Sequence, residues 1–127
     1  KSYWYQCNFS LTSMSASSGA FGFAIGGGAS LTSIVSHSFG NKVAALATST
    51  AGSFSFWASA ANSGIVGGNT STTGYACVRG IIRINSGGTI IPQVSLGVAA
   101  AAVVGVDSFF RIKPFGTNTV TTGGNWS

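Results

Sequence analysis

The sequence predicts an all-β protein, a jelly-roll β-sandwich of about eight to ten short antiparallel strands. Three observations carry that expectation. Short segments alternate apolar and polar residues with a period of two, as strands with one buried face do. Turn signals rich in Gly, Ser, Asn and Thr separate these segments at intervals of about ten residues. No stretch has the 3.6-residue apolar repeat of a long amphipathic helix.

Residues 3–11 place Tyr3, Tyr5, Cys7, Phe9 and Leu11 on one side and Trp4, Gln6, Asn8 and Ser10 on the other, a strand with one apolar face. A polar loop over 12–19 follows, then a second strand over 20–25 with Phe21, Phe23 and Ile25 together, ended by Gly26-Gly27-Gly28. Segments 31–39 and 42–49 read as strands with weaker patterns, and 53–58 as one with Phe54 and Phe56 on a shared face. Residues 59–73, dominated by Asn, Ser, Thr and Gly, read as an exposed loop around a short element at 64–67.

The most regular pattern lies at 75–96, which reads as a hairpin turning at Asn85-Ser86-Gly87-Gly88. Pro92 cannot donate to a ladder, so the second strand of this pair belongs at a sheet edge or at a bulge. Asp107-Ser108 suits a turn, residues 108–114 form a strand with Phe110 and Ile112 inward, and 117–126 supply a last Thr-rich strand. The expected core comprises Val78, Ile82, Ile84, Ile90, Val94, Leu96, Phe110 and Ile112.

At 127 residues the chain has the length of one domain, 1–127, with no internal boundary; it starts at Lys1 without a methionine, which points to an arm or domain before residue 1. Hydrophobic residues make up 45% and charged residues only 6%, too apolar for disorder and too poorly charged for an ordinary free domain. Such a surface is either covered in an assembly or kept soluble by its hydroxyls and amides.

The same composition limits the chemistry. One Asp, no Glu and one His leave no pair of carboxylates for general acid and base catalysis, and no GxSxG elbow accompanies His37 and Asp107, so we expect no enzyme and no catalytic residue. Cys7 and Cys77 lie far apart with no further ligands nearby, so no metal site and no cofactor are expected. They read as two buried thiols, or alternatively as a disulfide, which needs an oxidising compartment. No apolar run is long enough for a membrane-spanning helix, and the glycine runs lack the Lys and Ser or Thr of a phosphate loop; no membrane partner is expected.

Net charge is +5 from six scattered cations, which is sparse for a nucleic-acid binder. Arg79 and Arg83 share the outward face of one strand and Arg111 and Lys113 that of another, so the four would meet if those strands were neighbours. They read as solvated side chains or as a patch for a polyanion.

Within 75–127, the run GIIRINSGGTIIPQVSL, then SFFRIKPFG, then a glycine-flanked NWS resembles a pattern in tailed-bacteriophage virion proteins. Those proteins are similar to the trimeric jelly rolls of the tumour-necrosis-factor and complement globular-head superfamily. The resemblance implies a homotrimer on a virion surface, a head decoration or cement protein or a head fibre, contacting the major capsid protein or a fibre partner. The receptor-binding tip of a tail fibre, facing the host surface, and a secreted carbohydrate- or anion-binding module are the alternatives. Trp4, Arg79, Ile81, Arg83, Ile91, Gln93, Phe109, Arg111, Lys113 and Trp126 are the candidate interface residues, because they lie outward on their strands or at the chain's end.

Overall fold

The computed structural model describes residues 1–17, 19–43, 52–58, 63–69, 72–98, 102–114 and 116. Their secondary structure is all strand: β1 (Ser2–Thr12), β2 (Gly19–Gly26), β3 (Ser30–Val43), β4 (Ser53–Trp57), β5 (Ser63–Asn69), β6 (Thr73–Ser86), β7 (Ile91–Leu96), β8 (Val103–Val104) and β9 (Phe109–Pro114). The all-β class is as the sequence predicts, although β3 and β6, at 14 residues each, are not short. The segments expected as strands at 44–49 and 117–126 lie outside the described residues.

Two antiparallel sheets make a sandwich. The larger runs β4-β3-β6-β1, with β8 and β9 both pairing the far side of β1; the smaller runs β5-β2-β7. Tyr5, Phe9 and Leu11 of β1 meet Phe21 and Phe23 of β2 across the interior, joined by Ile65, Ala76, Val78 and Ile82. The rings pack in specific geometries: Phe9 lies edge-on to Phe21 and stacks on Phe23 at a centroid distance of 6.2 Å, and Tyr5 stacks on Phe23 at 6.4 Å. The Tyr5 hydroxyl is buried and hydrogen-bonds the Ser36 hydroxyl on β3. The ring has room because position 80 is glycine; a Cβ there would stand 2.8 Å from Tyr5 Cε1 and 2.3 Å from the Val35 carbonyl oxygen. Ser38, equally buried two residues on, has no hydrogen-bond partner for its hydroxyl among the described atoms.

The core therefore draws more on the first forty residues than the sequence pattern suggests. Of the eight core residues expected, Val78 and Ile82 are buried, and Ile84, Ile90, Leu96 and Phe110 pack partly against the core. Val94 and Ile112 face inward by register, opposite Phe23 and Tyr5, yet both stay exposed because the sheets part along that seam.

Two expectations are corrected. Residues 75–96 do not form a hairpin: β6 lies in the larger sheet and β7 in the smaller, and 87–90 cross between them. The alternation was read correctly, since Val78 and Ile82 on β6 and Val94 and Leu96 on β7 all point to the interior, but from opposite sheets. Pro92 does sit on a sheet edge, since β7 is the terminal strand of the smaller sheet among the described residues. The second correction concerns 59–73, expected as an exposed loop around a short element at 64–67; an element does lie there, but it is the seven-residue strand β5, which pairs with β2 and buries Ile65. Glycine hides that strand from a sequence pattern, because three of the seven residues in SGIVGGN have no side chain to show a period.

The crossing at 87–90 is fixed by the neighbouring crossing from β2 to β3. The Ala29 amide donates to the Thr89 carbonyl at 3.1 Å and the Gly28 amide to the Thr89 hydroxyl at 3.1 Å. Gly27 has φ +107°, and a Cβ on it would lie 2.2 Å from the Thr89 carbonyl oxygen. Gly28, one residue on, has no positive φ and only an ordinary contact at 3.9 Å. Gly27→Ala is expected to lose at least about 2 kcal/mol in chemical denaturation, and Gly28→Ala less than about 1 kcal/mol. Equal losses would show that the corner contact does not hold the sheets in register.

Candidate functional site

The alternation that buries one side of the larger sheet turns its other side outward as a continuous grid. Register places Phe56, His37, Arg79, Gln6 and Arg111 in one row across β4, β3, β6, β1 and β9. The adjoining row is Phe54, Phe39, Cys77, Asn8 and Phe109, and the row on the other side is Val35, Ile81, Trp4 and Lys113. Arg83 follows beyond Ile81, paired with Ser2 and Ser33.

Seven of the candidate interface residues, Trp4, Arg79, Ile81, Arg83, Phe109, Arg111 and Lys113, thus share one face. The four cations do not lie on neighbouring strands; they bracket β1, with strand spacing putting the Arg79 and Arg111 backbones about 10 Å apart. At that distance in water their mutual repulsion is only about 0.4 kcal/mol, so the fold tolerates the arrangement. Ile91 and Gln93 are a correction: they point outward from β7, on the opposite face of the sandwich, because β6 and β7 belong to different sheets. Trp126 lies outside the described residues.

The sequence reading missed the aromatic end of this face. Phe39, Phe54 and Phe56 are 51%, 71% and 68% exposed. The ring of Phe54 stacks on His37 at 6.3 Å, which places that imidazole on the sheet surface. Phe54 and Phe56 were seen to share a side, and only the pairing of β4 to the edge of β3 shows which side it is. Between the aromatic and cationic ends lies a shallow cavity of about 300 Å³ lined by Trp4, Val35, His37, Arg79, Gly80 and Ile81. At the centre the amides are organised: Gln6 donates to Asn8 at 3.2 Å, and the Asn8 amide donates to the Tyr75 hydroxyl at 2.8 Å.

A second concavity opens along the seam where β7 faces β9. It measures about 390 Å³, and its walls include Cys7, Phe9, Phe23, Val94, Val104 and Phe110. Of its lining, Val94 and Val104 are exposed, and Ile112, two residues beyond Phe110 on the same side of β9, is exposed as well; none of the three is charged.

Cys7 and Cys77 sit on neighbouring strands but on opposite sides of the sheet, since Cys7 pairs with Val78 and Cys77 with Asn8. Both are free thiols, and side chains directed away from each other cannot close a disulfide. Among the described residues no three His, Cys, Asp or Glu side chains group as metal ligands.

Burial, and then the neighbouring Cys77, push the Cys7 thiol from its ordinary 9.0 up to about 11; burial likewise raises the Tyr5 hydroxyl from 10.0 to about 12, against the Ser36 hydrogen bond. Both groups are neutral below their unfolded pKa values, so their contribution to stability is complete below about pH 9 and is lost as pH rises through 11 and 12. Iodoacetamide at pH 8 is expected to give one adduct on the folded chain, at Cys77, and a second at Cys7 only after denaturation, read by peptide mass. Equal labelling of both in the folded chain would contradict the burial of Cys7.

No protein-family model, curated protein or solved structure matches the chain.

Proposed function

We propose that this chain is a non-enzymatic structural subunit of a virion, a head decoration protein or head fibre that assembles as a homotrimer through the seam between β7 and β9. The observation that carries the proposal is the seam itself: an open apolar cleft walled by Phe9, Phe23 and Phe110, with Val94 and Val104 exposed in it, on a chain with 6% charged residues. A free monomer rarely leaves a contiguous apolar patch of this kind in water. A second copy suits the seam because neither rim brings a charge to be desolvated, and head-to-tail packing around a threefold covers each seam once. The nested pairs β1–β9, β2–β7 and β3–β6 support jelly-roll connectivity, and the resemblance of residues 75–127 to phage virion proteins supplies the setting.

Sedimentation equilibrium at micromolar concentration is expected to give three times the chain mass. Val104→Asp, at a position already exposed in the single chain, should weaken association at least about tenfold while leaving the circular dichroism spectrum unchanged. Phe54→Ser, on the other surface, should leave the trimer intact. A wild-type monomer at these concentrations would remove the proposal.

A further inference from the structure

We infer that the outer face of the larger sheet docks an acidic protein surface, one that sets carboxylates over Arg79 and Arg111 and apolar side chains over Phe54 and Phe56. The inference rests on the reading of this chain as a non-enzymatic subunit, but it uses a different surface from the seam.

Charge selects the partner first. The chain has six Lys and Arg against one acid, Asp107, which sits in the turn before β9. Arg79, Arg111 and Lys113 therefore present three cations on one face of a chain that has a single carboxylate to offer in return. An Arg–carboxylate pair formed at a partly desolvated contact is shorter and stronger than a neutral hydrogen bond, and it gains most where the cation has no internal competitor. A second copy of this chain is a poor occupant for the same reason: face to face it would set Arg against Arg, and in any orientation it brings one carboxylate.

The apolar end narrows the class further. Phe54 and Phe56 lie on the edge strand β4, separated by β3 from Arg79 on β6 and by three strands from Arg111 and Lys113 on β9, with Phe39 on β3 between. A single-stranded nucleic acid stacks its bases on aromatics interleaved with the cations that follow its backbone; Trp4 and Phe109 lie among the cations, but the more exposed rings, Phe54 and Phe56, are displaced from that track. Val35 and Ile81, between the two ends, offer neither a stacking plane nor a charge, but they suit the apolar core of a protein contact. The cavity walled by Trp4, Val35, Arg79 and Ile81 then takes a projecting side chain of the partner. Pre-organisation favours binding: the Phe54 ring is stacked on His37, and Asn8 is held by Tyr75, so part of the surface is ordered before contact.

Fluorescence anisotropy on the full chain tests this with a monovalent probe, a labelled dodecapeptide of alternating Glu and Tyr, against an oligothymidylate and an oligomer of alginate as the other polyanions. The Glu-Tyr peptide is expected to bind most tightly, and to weaken severalfold as salt rises from about 50 to 300 mM. Arg79→Gln with Arg111→Gln should weaken it at least about tenfold and flatten the salt dependence, whereas Phe54→Ser with Phe56→Ser should weaken it without changing that dependence. Thermal melts of both double variants confirm that the sheet remains folded. Val104→Asp should bind the peptide as the wild type does even where it abolishes the trimer, so failure of the seam and failure of this face are read separately. Tighter binding of the oligothymidylate or the alginate would overturn the inference in favour of a nucleic acid or an acidic glycan, and binding of none of the three would overturn it outright.

Discussion

The contact of Phe21 and Phe23 on one sheet with Tyr5 and Phe9 on the other is the interaction on which the rest of the molecule depends. It fixes which side of β1 is inward, and β1 fixes the larger sheet because β6 pairs along one edge of it and β8 and β9 along the other. With the even-numbered residues of β1 turned outward, the pleat leaves no choice about Arg79 and Ile81 on β6 or Arg111 and Lys113 on β9. The cationic and aromatic face is thus the reverse side of the core. A one-residue slip of β1 would bury Gln6 and Asn8 and turn Phe9 to water, so packing of the aromatic layer enforces the register that assembles the cationic row.

Low charge ties the two surfaces together. A chain with 6% charged residues has few charges to place, and four of its six cations, Arg79, Arg83, Arg111 and Lys113, lie on one sheet face. The seam is left apolar and the sheet face is left cationic and aromatic. These are different chemistries: one has no charge for a neighbour to desolvate, and the other sets cations beside exposed rings.

Sequence periodicity showed the parity of nearly every strand but not the sheet to which it belongs. In β6 and β7 the inward residues were legible from a period of two, because burial imposes it on either sheet. The crossing between them was not, because it is set by Thr89 meeting Gly27 and Gly28 some sixty residues earlier in the chain. Arg79, Ile81 and Arg83 were therefore placed correctly on one outer face, while Ile91 and Gln93 were assigned to that face and belong to the opposite one. Ile65 shows another limit: a strand with three glycines in seven residues and its apolar residues, Ile65 and Val66, side by side has no period to read. The aromatic end of the site was hidden for a third reason, since Phe54 and Phe56 show their side of β4 only once β4 is paired with β3.

The claim that the fold presents two surfaces for two kinds of neighbour is tested most directly by hydroxyl-radical footprinting of the chain alone, compared between nanomolar and micromolar concentration. Self-association through the seam predicts that oxidation at Val94, Val104 and Ile112 falls as concentration rises, while Phe39, Phe54 and Phe56 remain as reactive as in the monomer. Protection of the three phenylalanines with the seam still reactive would contradict the account, because the sheet face would then be the surface that the chain offers to itself.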